Sequence, residues 1–221
     1  MRKIKSTALL MGLLAAGSVY ADNENGRNIV MQGNGKGATA CMSCHQANGA
    51  GMAAAGFPRL SGLSAEYLAQ QLKSFKDGSR DNPMMKPIAA AMSDAEIKDV
   101  AEFYAAQKAP FQAPAPVAAH LLKAGERLAK HGNWSKDVPA CIQCHGADGA
   151  GVGQFPGIAG QHASYISNQI QAWKAGTRRN DPVGLMKSVS GKLSAKEIEA
   201  VAAYFASLPA ADAGQDKTAA K

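Results

Sequence analysis

The four cysteines of this 221-residue chain fall at two places of identical local pattern, Cys41-x-x-Cys44-His45 and Cys141-x-x-Cys144-His145. Two thiols one helical turn apart can each add across one vinyl group of a porphyrin. The histidine that follows is then held beneath the iron. The chemistry this spacing suits is covalent haem attachment, with Cys41, Cys44, Cys141 and Cys144 as anchors and His45 and His145 as axial iron ligands. Other uses of paired cysteines fit less well. A thioredoxin-like redox site needs a βαβ pattern, which the chain does not have. A four-cysteine zinc site would bridge about 96 intervening residues and leave both histidines without a role. Two plain disulfides would waste the histidines too, so no disulfide is expected.

The motif is one part of an internal repeat of about a hundred residues. Gly33-Asn34 recurs as Gly132-Asn133, Gly49-Ala50-Gly51 as Gly149-Ala150-Gly151, and Phe57-Pro58 as Phe155-Pro156. Tyr67, Gln71 and Phe75 match Tyr165, Gln169 and Trp173. Aligning Met92-Ser93 with Leu193-Ser194 then sets Met85-Lys86-Pro87-Ile88 opposite Met186-Lys187-Ser188-Val189. A thioether sulfur on the open side of a haem iron raises its potential and favours electron transfer. Met85 and Met186 are therefore the candidate second ligands. In the first copy Met84 stands beside Met85 as the alternative, and Met92 falls where the repeat is apolar. Pro58 and Pro156 each offer a backbone carbonyl to the imidazole N–H of the haem histidine. Arg59, Tyr67, Tyr165, Gln71 and Gln169 are candidates for haem carboxylates, or simply polar residues on exposed helix faces. His120, His131 and His162 have no counterparts in the other copy and read as surface or linker positions.

The elements that must position these groups are helical, with almost no strand signal. Ser93 and Glu96 form a capping box, followed by Ile97, Val100, Ala101 and Tyr104 on one helical face. Ser194, Glu197, Ile198, Val201, Ala202 and Phe205 repeat the device. An earlier helix in each copy carries Leu68, Leu72 and Phe75, matched by Ile166, Ile170 and Trp173. A first helix runs from about Gly26 and from about Ala119. So little aliphatic material implies a large apolar object at each centre.

Residues 1–21 read as a secretory signal: Arg2, Lys3 and Lys5 precede an uncharged apolar run, and Val19-Tyr20-Ala21 suits cleavage. The repeat divides the rest into a first domain over 22–108, a linker over 109–117 rich in Pro and Ala, a second domain over 118–209 and a disordered polar tail over 210–221. The formal charge of +7 includes three basic residues of the signal and falls to +4 without them. The first half is then neutral, with nine basic and nine acidic residues, and the second holds twelve basic and eight acidic. Scattered lysines on an exported chain exclude a nucleic-acid-binding class. They suit docking of an acidic partner by the second half.

With both motifs, the repeat and the paired methionines in view, the chain resembles the cytochrome c4 family, exported bacterial dihaem proteins. The resemblance covers nearly all of the mature chain. It rests further on Phe57-Pro58-Arg59-Leu60-Ser61-Gly62 with its echo Phe155-Pro156-Gly157-Ile158-Ala159-Gly160, on Gly176-Thr177-Arg178-Arg179-Asn180-Asp181-Pro182 before Met186, and on the Ser-x-x-Glu-Ile helix starts. It implies an all-α fold of two tandem class I cytochrome c domains joined by the Pro/Ala linker, packed through their haem faces. It also implies two covalently bound haem c groups with His/Met ligation, a periplasmic and peripherally membrane-associated location, and electron delivery toward a haem-copper terminal oxidase. Asp81-Asn82-Pro83 departs from the pattern, since the second copy reads Asn180-Asp181-Pro182.

The reading that follows is a one-electron carrier of a respiratory chain, not an enzyme. It would take electrons from an upstream donor such as a quinol-oxidising complex. A dihaem peroxidase or thiosulfate-oxidising enzyme would need one iron with a labile or unusual sixth ligand, and the chain has no fifth cysteine. The remaining alternative is a fixed cytochrome subunit of a larger dehydrogenase or oxidase.

Overall fold

The computed structural model describes residues 23–210; the signal reading of residues 1–21 and the tail reading past Ala210 lie outside the described residues. The first repeat folds as α1 (Glu24–Gln32), α2 (Met42–His45), α3 (Ala65–Asp77), α4 (Met85–Ala90) and α5 (Asp94–Ala106). The second repeats the order as α6 (Ala119–His131), α7 (Ile142–His145), α8 (Ala163–Ala175), α9 (Leu185–Lys192) and α10 (Ala195–Ser207). Among the described residues there is no strand, only isolated bridges. The chain is all-α, two tandem domains of one design.

Local signals set the helix ends. Ser93 and Ser194 accept from the backbone N–H of Glu96 and Glu197, whose carboxylates reach back to the serine N–H at 2.7 and 2.8 Å. Each such cap contributes about 1 kcal/mol. Just upstream, Lys76 donates to the Met92 carbonyl at 2.7 Å and Lys174 to that of Leu193 at 2.6 Å, tying α3 to the start of α5 and α8 to that of α10. Gly33 and Gly132 end α1 and α6 with φ of 81° and 71°, a conformation that costs glycine little.

The first and last helices of each domain cross at a glycine. A Cβ on Gly26 would run into the carbonyl oxygen of Asp99 in α5, and one on Gly125 into that of Ala200 in α10. Around these crossings sit two apolar cores. Ile29, Val30, Leu68, Met92, Ile97, Val100 and Tyr104 fill the first, and Leu128, Ile166, Ile170, Leu193, Ile198, Val201 and Phe205 the second. Each large side chain so buried adds roughly 1.5–3 kcal/mol. Met92 packs in this core, as its apolar register requires.

The two domains join through the turns after α3 and α8. There the chains run antiparallel, with Asp81 N–H donating to Thr177 O at 2.8 Å and Arg179 N–H to Ser79 O at 2.6 Å. Beside this bridge the Gln161 side chain pairs with the backbone of Arg59, accepting its N–H and donating to its carbonyl, each at 2.9 Å. His162 Nδ1 donates to Phe57 O at 3.0 Å. The expectation that His162 is a surface or linker residue is therefore corrected: it is buried between the domains, whereas His120 and His131 are exposed.

Candidate functional site

Each cysteine motif forms a single helical turn. His45 N–H reaches Cys41 O, and His145 N–H reaches Cys141 O, at 2.9 Å in both copies. The turn sets both thiols beside the imidazole, half-buried and unpaired with each other. Burial pushes the Cys41 and Cys141 thiols up to about 11, so at neutral pH each keeps the proton that addition to a vinyl group consumes. Among the described residues no cluster of three or more His, Cys, Asp or Glu side chains is arranged to hold a metal ion.

The histidines are buried and fixed by one bond each. His45 Nδ1 lies 3.1 Å from Pro58 O, and His145 Nδ1 lies 2.8 Å from Pro156 O. A carbonyl oxygen only accepts, so Nδ1 carries the proton and Nε2 keeps its lone pair for a metal. Burial holds both imidazoles below the usual histidine range, and at His145 the charge of Arg178 adds to the effect. Both facts favour the neutral ring, the form that binds iron. The loops that deliver the two prolines close on themselves, with Leu60 N–H on Gly49 O and Ile158 N–H on Gly149 O, both at 2.8 Å. Phe57 and Phe155 set ring edges against the same imidazoles.

The methionines stand at the starts of α4 and α9. Met85 and Met186 are half-buried. Their preceding neighbours point outward: Met84 is 51% exposed and Leu185 46%. The Asp81-Asn82-Pro83 departure has a physical account. In both copies the residue just before proline accepts from backbone N–H groups at the start of the methionine helix, Asn82 Oδ1 from Met84 and Met85 at 3.0 and 2.9 Å. Asp181 accepts from Lys187 N–H at 3.1 Å. Either an Asn or an Asp oxygen supplies such an acceptor, while Asn180 turns to the interface and donates to Gln71 at 2.9 Å.

The polar candidates go elsewhere than an exposed face. Arg59 reaches the linker, donating to Pro110 O and Ala109 O at 3.1 and 2.6 Å. Tyr67, Gln71, Tyr165 and Gln169 meet two arginines that the sequence reading did not single out as site residues. Arg80 donates to Gln71 at 3.0 Å, Gln169 at 2.7 Å and Tyr165 at 2.6 Å. Arg178 donates to Gln169 at 3.0 Å, Gln71 at 2.9 Å and Tyr67 at 3.2 Å. Each guanidinium also stacks 4.5 Å from an aromatic ring of its own domain, Phe75 or Trp173. The available signal was their equivalence in the repeat, Arg80 after Gly78-Ser79 and Arg178 after Gly176-Thr177.

A protein-family model described as cytochrome c matches residues 30–107 and 122–209. The thiosulfate dehydrogenase electron acceptor of Stutzerimonas stutzeri (strain A1501) is 45% identical over 200 residues, 90% of this chain and 93% of the relative. The solved structure of reduced cytochrome c4 from Pseudomonas stutzeri superposes with a TM-score of 0.74 at 32% identity, covering 85% of this chain and 98% of that one. The chain belongs to the dihaem cytochrome c4 family. A further structure, thiosulfate dehydrogenase (TsdBA) from Marichromatium purpuratum, superposes with a TM-score of 0.78 at 42% identity; this cytochrome covers 40% of that longer chain, with 85% of its own length matched.

The residues present fit the cofactor the family carries: two thiols and a lone-pair imidazole at each motif. The cytochrome carries two covalently bound haem c groups, at Cys41/Cys44 and Cys141/Cys144, and is an electron carrier working with redox partners.

Proposed function

We propose that this cytochrome accepts electrons one at a time from a thiosulfate-oxidising dehydrogenase outside the cytoplasm and passes them toward a haem-copper terminal oxidase, turning over no substrate itself. The observation that supports the donor is the relative named as a thiosulfate dehydrogenase electron acceptor, aligned over 93% of its length. When bound, each haem supplies a one-electron iron couple.

The chain's own residues supply the rest. His45 and His145 would hold the iron through Nε2, their tautomers fixed by Pro58 and Pro156. Met85 and Met186, both half-buried, would supply the second ligands, while Met84 is exposed. With a histidine and a methionine to hold each iron, no position would be left for a substrate, which is why we assign a carrier and not an enzyme. The signal reading supports a periplasmic location. Among the described residues no helix is long and apolar enough to cross a membrane.

The test is stopped-flow mixing of the oxidised cytochrome with a thiosulfate dehydrogenase and thiosulfate. Both haems become reduced at a rate that depends on the dehydrogenase, and thiosulfate alone reduces neither. Reduction by thiosulfate without the dehydrogenase, or reduction by a quinol-oxidising complex only, would contradict the assignment.

A further inference from the structure

The second domain reaches the peptide group that fixes His45 in the first. Pro58 O, the acceptor of His45 Nδ1, and the Arg59 N–H belong to one peptide, and that N–H donates to Gln161 Oε1 at 2.9 Å. Gln161 Nε2 returns a bond to Arg59 O, also at 2.9 Å. A backbone N–H only donates, so the reciprocal pair fixes which end of the amide faces it. Arg59 and Gln161 are both buried, so water does not compete for these bonds. The arrangement is one-sided. Helices α3 and α8 begin at Ala65 and Ala163, which sets Leu63-Ser64 opposite Gln161-His162. Leu63 has no amide to offer the Pro156–Gly157 peptide of the second domain.

Hydrogen bonds in series polarise one another, so a peptide whose N–H donates is a better acceptor at its carbonyl, by about 10–30% per bond. We propose that Gln161 is a positioning residue of the second domain that tunes the iron of the first, through the relay from Gln161 Oε1 to the Arg59 N–H, Pro58 O and the His45 Nδ1–H. A stronger acceptor draws the Nδ1 proton from the ring, makes Nε2 a better electron donor and favours ferric iron at the first haem alone. The His45 bond is the longer of the two, 3.1 Å against 2.8 Å at His145, and the relay compensates reach with acceptor strength. The potential of the first iron thereby depends on the docking of the second domain. The proposal rests on His45 as an iron ligand and not on the identity of the redox partner. His162 holds the same loop through Phe57 O at 3.0 Å, but that carbonyl is joined to the nitrogen of Pro58, which has no proton, so no relay passes through it.

The experiment is redox titration of the holo-cytochrome followed by proton NMR, in which the ring signals of His45 and His145 report their own irons. Gln161→Leu, the residue the first copy carries, is expected to shift the first iron toward ferrous by about threefold, which is about 28 mV at about 59 mV per tenfold. The second iron should stay with the parent. In the ferrous variant the His45 Nδ1–H resonance should move upfield, as a weaker hydrogen bond requires, with that of His145 unmoved. Gln161→Glu, which keeps an acceptor oxygen, should hold the first iron at the parent's potential or on its ferric side. His162→Leu, which loosens the same loop outside the relay, is expected to lower the unfolding midpoint and move neither potential. Gln161→Met, of similar length, takes the place of Gln161→Leu if that variant does not fold. An unmoved first iron in Gln161→Leu, equal shifts at both irons, or the same shift in His162→Leu would overturn the relay. A His45 ring without iron-induced shifts in the oxidised parent would instead overturn the ligand assignment beneath it.

Discussion

Arg80 and Arg178 lie in different domains yet donate to the same two oxygens: Gln71 Oε1 at 3.0 and 2.9 Å, and Gln169 Oε1 at 2.7 and 3.0 Å. Sharing an acceptor keeps the donor nitrogens within about 6 Å of each other. Two unit charges at that separation repel by roughly 3 kcal/mol at an effective dielectric near 20. The glutamines, the phenols and the two aromatic faces offset this repulsion. The interface is thus a junction of charge, not only of surface.

Gln71 is the most loaded acceptor there, since its oxygen also takes Asn180 Nδ2 at 2.9 Å. Gln71→Ala leaves two buried guanidinium donors and one amide without it. It is expected to lower stability by about 3 kcal/mol, read from the urea midpoint of the holo-protein. Gln70→Ala, on the exposed side of the same helix, should cost less than about 1 kcal/mol. Equal midpoints for the two variants would show that the junction is energetically idle.

Gly26→Ala and Gly125→Ala address the helix crossings. Either methyl meets a backbone carbonyl of the partner helix, and backbone cannot swing aside as a side chain would. Each is expected to destabilise by about 2–3 kcal/mol, as a drop in thermal midpoint. Gly35→Ala, with open space around it but a φ of 67°, separates crowding from backbone strain. It should cost about 1 kcal/mol. Crossing-glycine variants no worse than this one would refute close approach as the cause.

Acid should weaken the second domain through Glu197. Burial is the largest single influence and raises its pKa, but the donors from Lys136, Ser194 and Asn133 together outweigh it and hold the carboxyl at about 2, against an ordinary 4.5. A depressed carboxylate pKa gives stability that is complete above the unfolded value and lost as pH falls through the folded one. The loss attributable to Glu197 therefore falls between pH values of about 4.5 and about 2. Urea midpoints measured across that window should fall less steeply in Glu197→Gln than in the parent. Parallel slopes would refute the link.

The repeat and its helices were legible because their signals are short-range. Capping boxes, the Cys-x-x-Cys-His turns and the apolar faces of α5 and α10 all declare themselves within a few residues. Met85 and Met186 followed from setting one copy against the other; in the structure both are half-buried, and their neighbours Met84 and Leu185 are exposed. The interface was not legible. Tyr67 and Gln71 sit one turn apart on α3, which reads equally as a solvated stripe, and their partner Arg178 lies 111 and 107 residues away. His162 gave no sign of burial, since its acceptor Phe57 O is a backbone atom 105 residues distant. Arg59 resembled a cofactor ligand by position, and only the path of the linker shows why it turns to Ala109 and Pro110.

Absorption spectroscopy of the oxidised protein tests most directly whether both irons are closed. The parent should show the far-red charge-transfer band of a methionine–iron bond at two-haem intensity. Met85→Leu and Met186→Leu should each remove half of it, and Met84→Leu none. A high-spin signal in the parent, or rapid carbon monoxide binding to its reduced form, would contradict the carrier and point to an iron open for catalysis.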